Sequence, residues 1–169
     1  MASAKTNAMR LLDSAGISYN QYSYDHSDGF IDGVSVAKKT GMPPEKVFKT
    51  LVAKGASGAY YVFIIPVAKE LNLKAAAKAV GEKSIEMIKA SDLSKITGYV
   101  RGGCSPVGMK KTYRTVIDNS CEALSTIVVS AGKLGLQIEL KPADLIRAVP
   151  CEVAVVTAEH GHKKGACFD

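Results

Sequence analysis

Apolar and polar positions follow several distinct rhythms along this chain, and each rhythm predicts a different element. Residues 5–15 place Ala8, Leu11, Leu12 and Ala15 at helical spacing, with Gly16 as the stop. Residues 17–24 read as a strand carrying Tyr19, Tyr22 and Tyr24. A polar, glycine-containing loop is predicted over 25–33, then a short helix over 34–40 that closes at Gly41 before the Pro43-Pro44 turn. Two β-rich runs, VFKTLVAK at 47–54 and AYYVFIIPV at 59–67, flank Gly-Ala-Ser-Gly and predict a hairpin in a central sheet.

Helices follow over 73–80 and 91–97, each with small or aliphatic residues on one face and lysines on the other. Strand patterns return at 114–118, 125–130 and 136–140, then a helix at 142–148 and a last strand at 152–157. Strands that alternate irregularly with short helices predict an α/β (α+β) fold. The expected architecture is a mixed, strongly curled or barrel-like β-sheet with surrounding helices, not a regular doubly wound sheet. No repeat or linker divides the chain, so one domain over 1–157 and a tail over 158–169 are expected.

Composition narrows the class. A chain of 169 residues with 47% hydrophobic content suits one domain with a sizeable core. No stretch approaches the roughly 18 unbroken apolar residues of a membrane helix, and the first residues lack a signal-peptide core. A cytoplasmic protein is expected. The net charge of +6 is unevenly spread: residues 33–114 hold 15 basic and 5 acidic groups, between weakly acidic flanks. That segment suggests a basic face suited to a phosphate-bearing partner, or simply lysines solvated on helix surfaces.

Cys104, Cys121, Cys151 and Cys167 lie far apart, with no C-x-x-C pair. The nearest approach to a metal cluster is His160, His162 and Cys167 in the tail, which matches no closed site. No metal and no cofactor are expected.

The chemistry concentrates in RGGCSPVGMKKT at 101–112. Paired glycines let backbone N–H groups converge on a phosphate or a developing oxyanion; the same composition also makes a tight structural turn. The spacing does not fit a Walker A loop, because the lysine after Gly108 comes one place late. Nor does it fit a nucleophile elbow, since Ser105 is followed by Val107 where glycine is needed after the intervening residue. Cys104 as a nucleophile would need a base, and His26 is the one histidine outside the tail. Lys49 is a second focus. It interrupts an apolar strand, where it is either solvated or covered by the glycine-rich loop as a fixed ammonium for phosphate or a carbonyl.

Several motifs in order, Tyr24-Asp25-His26, Phe48-Lys49-Thr50-Leu51, Leu73-Lys74-Ala75-Ala76-Ala77-Lys78, Thr97-Gly98-Tyr99-Val100 and the run from Gly102 to Lys111, resemble the YbaK family. These are free-standing relatives of the bacterial prolyl-tRNA synthetase editing domain. The resemblance runs from about residue 5 to residue 157, and the Gly-Gly-x-Ser-Pro-x-Gly-x-Lys-Lys run is most similar to the Cys-tRNA deacylase branch. It implies a barrel-like mixed sheet and an enzyme that hydrolyses mischarged Cys-tRNA(Pro), with other aminoacyl-tRNAs as weaker substrates. Prolyl-tRNA synthetase is a second candidate partner beside the tRNA 3′ end.

By carry-over, Lys49, Gly102 and Gly103 are the candidate catalytic residues, and Tyr24, Phe30 and Thr50 line the pocket. Cys104, Ser105, Pro106, Lys110, Lys111 and Ser130 complete the candidate contact set. Two departures from the family pattern are visible. Cys104 stands at a position usually aliphatic in this branch, and Ser-Gly-Gly-Lys-Arg-Gly is here Ser130-Ala131-Gly132-Lys133-Leu134-Gly135.

Neither the residues nor the resemblance supplies a catalytic triad. An aminoacyl ester is already activated and brings its own nucleophiles, the ribose 2′-OH and, for cysteine, the thiol. The expected division of labour has Gly102, Gly103 and neighbouring N–H groups on the carbonyl or ribose, and Lys49 on a phosphate or the developing charge. Two rivals stand beside it: a non-catalytic module binding tRNA ends or a nucleotide, and a Cys104-dependent thiol hydrolase.

Overall fold

The computed structural model describes residues 5–158. In chain order its helices are α1 (Asn7–Ser14), α2 (Gly33–Thr40), α3 (Leu73–Val80), α4 (Ala90–Thr97) and α5 (Pro142–Ala148). Its strands are β1 (Asn20–Ser23), β2 (Phe48–Gly55), β3 (Tyr60–Pro66), β4 (Glu70–Leu71), β5 (Ile85–Met87), β6 (Arg114–Asp118), β7 (Ile127–Lys133), β8 (Leu136–Leu140), β9 (Cys151–Ala154) and β10 (Thr157–Ala158).

The apolar run of β3 becomes the middle of a five-stranded sheet in the order β5-β2-β3-β6-β9. β2 and β3 form the expected hairpin, while β6 joins β3 in parallel and β9 joins β6 in parallel. A strand with both faces covered has no polar alternation, which is why β3 reads as continuous apolar sequence. Val62 and Ile64 face one core with Met9 and Leu12 of α1 and Val129 and Ile138 of the second sheet. Tyr61, Phe63 and Ile65 face the other, packing on Ala76, Ala77 and Val80 of α3.

The second sheet is antiparallel, in the order β1-β8-β7, and β10 pairs with β4 as a two-stranded ribbon. One parallel bridge, Val47 to Val128, links the two larger sheets. The mixed α/β architecture is therefore the expected one, with its curl divided between sheets and no closed ring of strands among the described residues. β4, β5 and β10 are two or three residues long, too short to leave a periodic signal. The strand expected over 152–157 is divided between β9 and β10, and Ala158, expected in the tail, pairs with Glu70. His160, His162 and Cys167 lie outside the described residues. Among those described, no helix is long and apolar enough to cross a membrane.

A buried carboxylate ties the second sheet to the start of β2. Glu139 of β8 is 8% exposed. It accepts hydrogen bonds from Tyr22 Oη at 2.6 Å and Thr126 Oγ1 at 2.5 Å, and pairs with Lys46, which lies in the single 3₁₀ turn just before β2. Burial alone would push the Glu139 carboxyl up. The Lys46, Thr126 and Tyr22 hydrogen bonds and the Lys46 charge outweigh it and hold the group at about 2.

A carboxyl depressed in the folded state contributes stability above its unfolded value and loses it as pH falls toward its folded value. Glu139→Gln is thus expected to melt well below wild type at pH 7, by an amount on the order of 3 kcal/mol. The gap should close as pH falls from about 4.5 toward 2. Thermal melts across that range check it, and a gap constant with pH would show that the ionised carboxylate is not the stabilising species.

Candidate functional site

The site forms where two strands compete for one edge of β2. Ile88 N–H donates to Val52 O, so alternate β2 residues, Thr50 included, turn their N–H and C=O away from β3. β5 stops pairing at Ala53 opposite Met87, and β7 touches the other end through the Val47 to Val128 bridge. Thr50 falls between them, with its main-chain groups on an open stretch of edge. Alternation puts Lys49 on the α3 face with Leu51, and Thr50 on the opposite face with Phe48 and Val52. A cleft of about 690 Å³ wraps around this edge and is lined by both faces.

The glycine-rich segment closes the far wall with Arg101, Gly102 and Cys104. Gly102 has φ +83°, and a β-carbon there would lie 2.7 Å from Leu134 Cδ2 and 3.0 Å from Ile31 Cδ1. The left-handed backbone is what calls for glycine here, while the side-chain ends of Leu134 and Ile31 close over it. Tyr99 braces the same contact: its hydroxyl donates to Val107 O at 2.5 Å, and its ring packs against Gly132. Ser130 and Gln137 bring the second sheet to the wall.

Of the residues singled out from sequence, Tyr24, Lys49, Thr50, Gly102, Cys104 and Ser130 come together on this cleft. The others do not. Gly103 N–H donates to Val100 O at 2.9 Å, closing a turn, and is already engaged within its own loop. Ser105 is fully buried and accepts from Val107 N–H, a local cap. Phe30 is 63% exposed because Asp28 and Lys39 hold its main chain with the ring outward. Lys110 donates to Lys95 O, and its N–H to Thr97 O, finishing the C-terminal turn of α4. Pro106 and Lys111 line a separate depression of about 220 Å³. Lys110 and Lys111, expected in the contact set, thus stand away from this cleft; beside Lys49, the cations on the wall are Lys89 and Arg101.

Burial pushes the Cys104 thiol up to about 12, with a Thr97 hydrogen bond opposing it weakly. A thiol so held is protonated at neutral pH and is a poor nucleophile. Cys104→Ser is expected to change turnover by no more than a few-fold, and iodoacetamide at pH 7 to leave it intact. Alkylation that abolishes activity, with protection by a substrate analogue, would instead restore the thiol-hydrolase reading.

The model of the aminoacyl-tRNA editing domain matches residues 33–148. The chain belongs to the aminoacyl-tRNA editing domain family. A relative from Enterococcus faecalis, EbsC, named for Cys-tRNA(Pro)/Cys-tRNA(Cys) deacylase activity, is 41% identical over 92% of this chain and 94% of its own length. A proline–tRNA ligase of Fervidobacterium nodosum is 30% identical over 56% of this chain and 16% of its own. A solved structure described as a trans-editing enzyme for prolyl tRNA synthetase superposes with a TM-score of 0.78 at 19% identity, over 92% of this chain and 99% of its own. The enzyme class follows: this editing domain is an aminoacyl-tRNA deacylase.

Within that family frame, the second departure seen in the sequence, the run from Ser130 to Gly135, acquires physical content. Ala131 is fully buried and needs no left-handed backbone, so alanine fits without strain. Leu134, in place of arginine, packs over Gly102. Sequence reasoning missed Lys89, Arg101, Glu70 and Gln137 on the wall of this editing domain. Arg101 opens the glycine-rich segment and could have been found there; the other three sit in segments with no motif of their own.

Proposed function

We propose that the protein is a free-standing trans-editing deacylase acting on mischarged Cys-tRNA(Pro), with Cys-tRNA(Cys) and other noncognate aminoacyl-tRNAs as weaker substrates. The observation that carries this is the meeting of Lys49, the open edge at Thr50 and Gly102 on one cleft with further cations at Lys89 and Arg101. The 41% identity to EbsC supports the choice of cysteine.

The reaction is substrate-assisted. The wall's cysteine is held protonated, and Lys49, Gly102 and the Thr50 edge are assigned to positioning and charge, not to nucleophilic attack. Gly102 and the Thr50 edge seat the terminal ribose and ester, while Lys49 sets a positive charge against the negative charge at the reacting end. The thiol sulfur of the cysteinyl group attacks its own carbonyl carbon. The bond from that carbon to the ribose oxygen breaks, the ribose oxygen takes the proton that the thiol gives up, and a cyclic thioester leaves free tRNA behind. Water then opens the thioester to cysteine.

Prolyl-tRNA synthetase is proposed as the partner that supplies the mischarged tRNA. Amino-acid release from Cys-, Ala- and Ser-tRNA(Pro) tests the function, and Cys-tRNA(Pro) is expected to be cleaved fastest. Retention of uncharged tRNA with no ester hydrolysis on any of the three would replace the enzyme with a binding module. Loss of activity between low and high salt would report the phosphate contacts.

A further inference from the structure

Four side-chain oxygens among the described residues are closed off from solvent without a hydrogen-bond partner: Thr50 Oγ1, Glu70 Oε2, Ser120 Oγ and Gln137 Oε1. Three of these four residues, Thr50, Glu70 and Gln137, line the cleft. Buried polar atoms are ordinarily satisfied, so their concentration at one place in the fold calls for a physical reason. Each of the three can accept a hydrogen bond, and a wall of acceptors suits a group rich in N–H donors.

Glu70 differs from the other two in carrying charge. The cleft's other carboxylate, Asp32, is already spent: it accepts from the Ser35 N–H and from the Ser35 hydroxyl as the N-cap of α2. Glu70 sits in the short β4 strand, where pairing with Ala158 fixes its backbone. A carboxylate oxygen withdrawn from water is costly unless a cation or a set of donors reaches it. The remaining charged residues of the wall, Lys49, Lys89 and Arg101, are basic and suit the anionic parts of a tRNA end.

The reacting end of an aminoacyl-tRNA carries one cation of its own, the α-ammonium beside the ester carbonyl. We propose that Glu70 receives this α-ammonium, with Thr50 Oγ1 and Gln137 Oε1 as further acceptors. The proposal rests on the deacylase reading above and deepens it. A site that takes phosphate on lysines and ammonium on a carboxylate fixes the direction in which the ester lies. It also selects against N-acylated esters, including peptidyl-tRNA, whose nitrogen carries no charge.

The test compares Cys-tRNA(Pro) with N-acetyl-Cys-tRNA(Pro) as substrates for wild type and Glu70→Gln. Acetylation removes the ammonium and leaves both thiol and ester in place. Wild type is expected to favour the free amine by about tenfold to a hundredfold in kcat/KM, mainly through KM. Glu70→Gln is expected to lose that preference and to cleave the acetylated ester at the wild-type rate. Equal rates on the two esters with wild type would overturn the assignment without needing a folded variant. So would a Glu70→Gln enzyme that keeps the preference, or one that slows both esters alike. Cleavage of neither ester by wild type would be a different failure, that of the deacylase reading itself.

Discussion

Lys49→Ala is expected to cut the deacylation of Cys-tRNA(Pro) by about a hundredfold or more, the scale of losing one well-placed electrostatic contact to a transition state. The reason lies in how firmly the residue is held. Lys49 is in the middle of the β2–β3 ladder, opposite Ile65, so its Cα is fixed by a central hairpin and not by a loop. Its side chain lines the cleft on the α3 face beside the open edge at Thr50. A charge on such a support need not reorganise as the carbonyl becomes an oxyanion. Steady-state kinetics separate its two roles: a fall in kcat marks transition-state charge, while a rise in KM marks a phosphate held equally in ground and transition states. Lys49→Ala activity within a few-fold of wild type would remove this residue from the mechanism.

Cys-tRNA(Pro) is expected to be hydrolysed about a hundredfold or more faster than Ser-tRNA(Pro), because an intramolecular thiol at a near-attack distance is a far better nucleophile than a hydroxyl. The two side chains are nearly isosteric, so the cleft cannot separate them strongly by shape, and a size-based pocket would treat them alike. The same experiment reports the product. A cyclic thioester trapped by an added amine from Cys-tRNA, and none from Ser-tRNA, follows from attack of the side-chain sulfur. Equal rates on both esters would sink the thiol step while leaving deacylation by water or the ribose hydroxyl in place.

Much of the fold was legible because its strongest signals are local. The β2–β3 hairpin follows from two β-rich runs around Gly55 and Gly58, and the end of α2 from Gly41. Lys49 was legible for the same reason, as a charge inside an apolar strand. What stayed hidden depends on pairing between distant segments. β4 and β10 are two residues each and exist only because Thr157 meets Leu71 and Ala158 meets Glu70. The direction of the glycine-rich segment was equally unreadable: RGGCSPVGMKKT displays a serine, a proline and two lysines with equal prominence. Packing against Tyr99 and the β7–β8 turn sends Gly102 and Cys104 to the cleft, and Ser105, Pro106, Lys110 and Lys111 elsewhere.

The junction at Thr50 has a consequence for the newly made chain. Its cleft is assembled from Tyr24, the β2 edge, Glu70, Gly102 and the β7–β8 hairpin, segments that no short stretch of sequence brings together. Such long-range contacts form late on the way to the native state, after the hairpins and helices that are local. A half-folded chain emerging near the ribosome would therefore own the lysine and the glycines without owning a cleft. The geometry that the reaction needs is therefore complete only once the two sheets have docked.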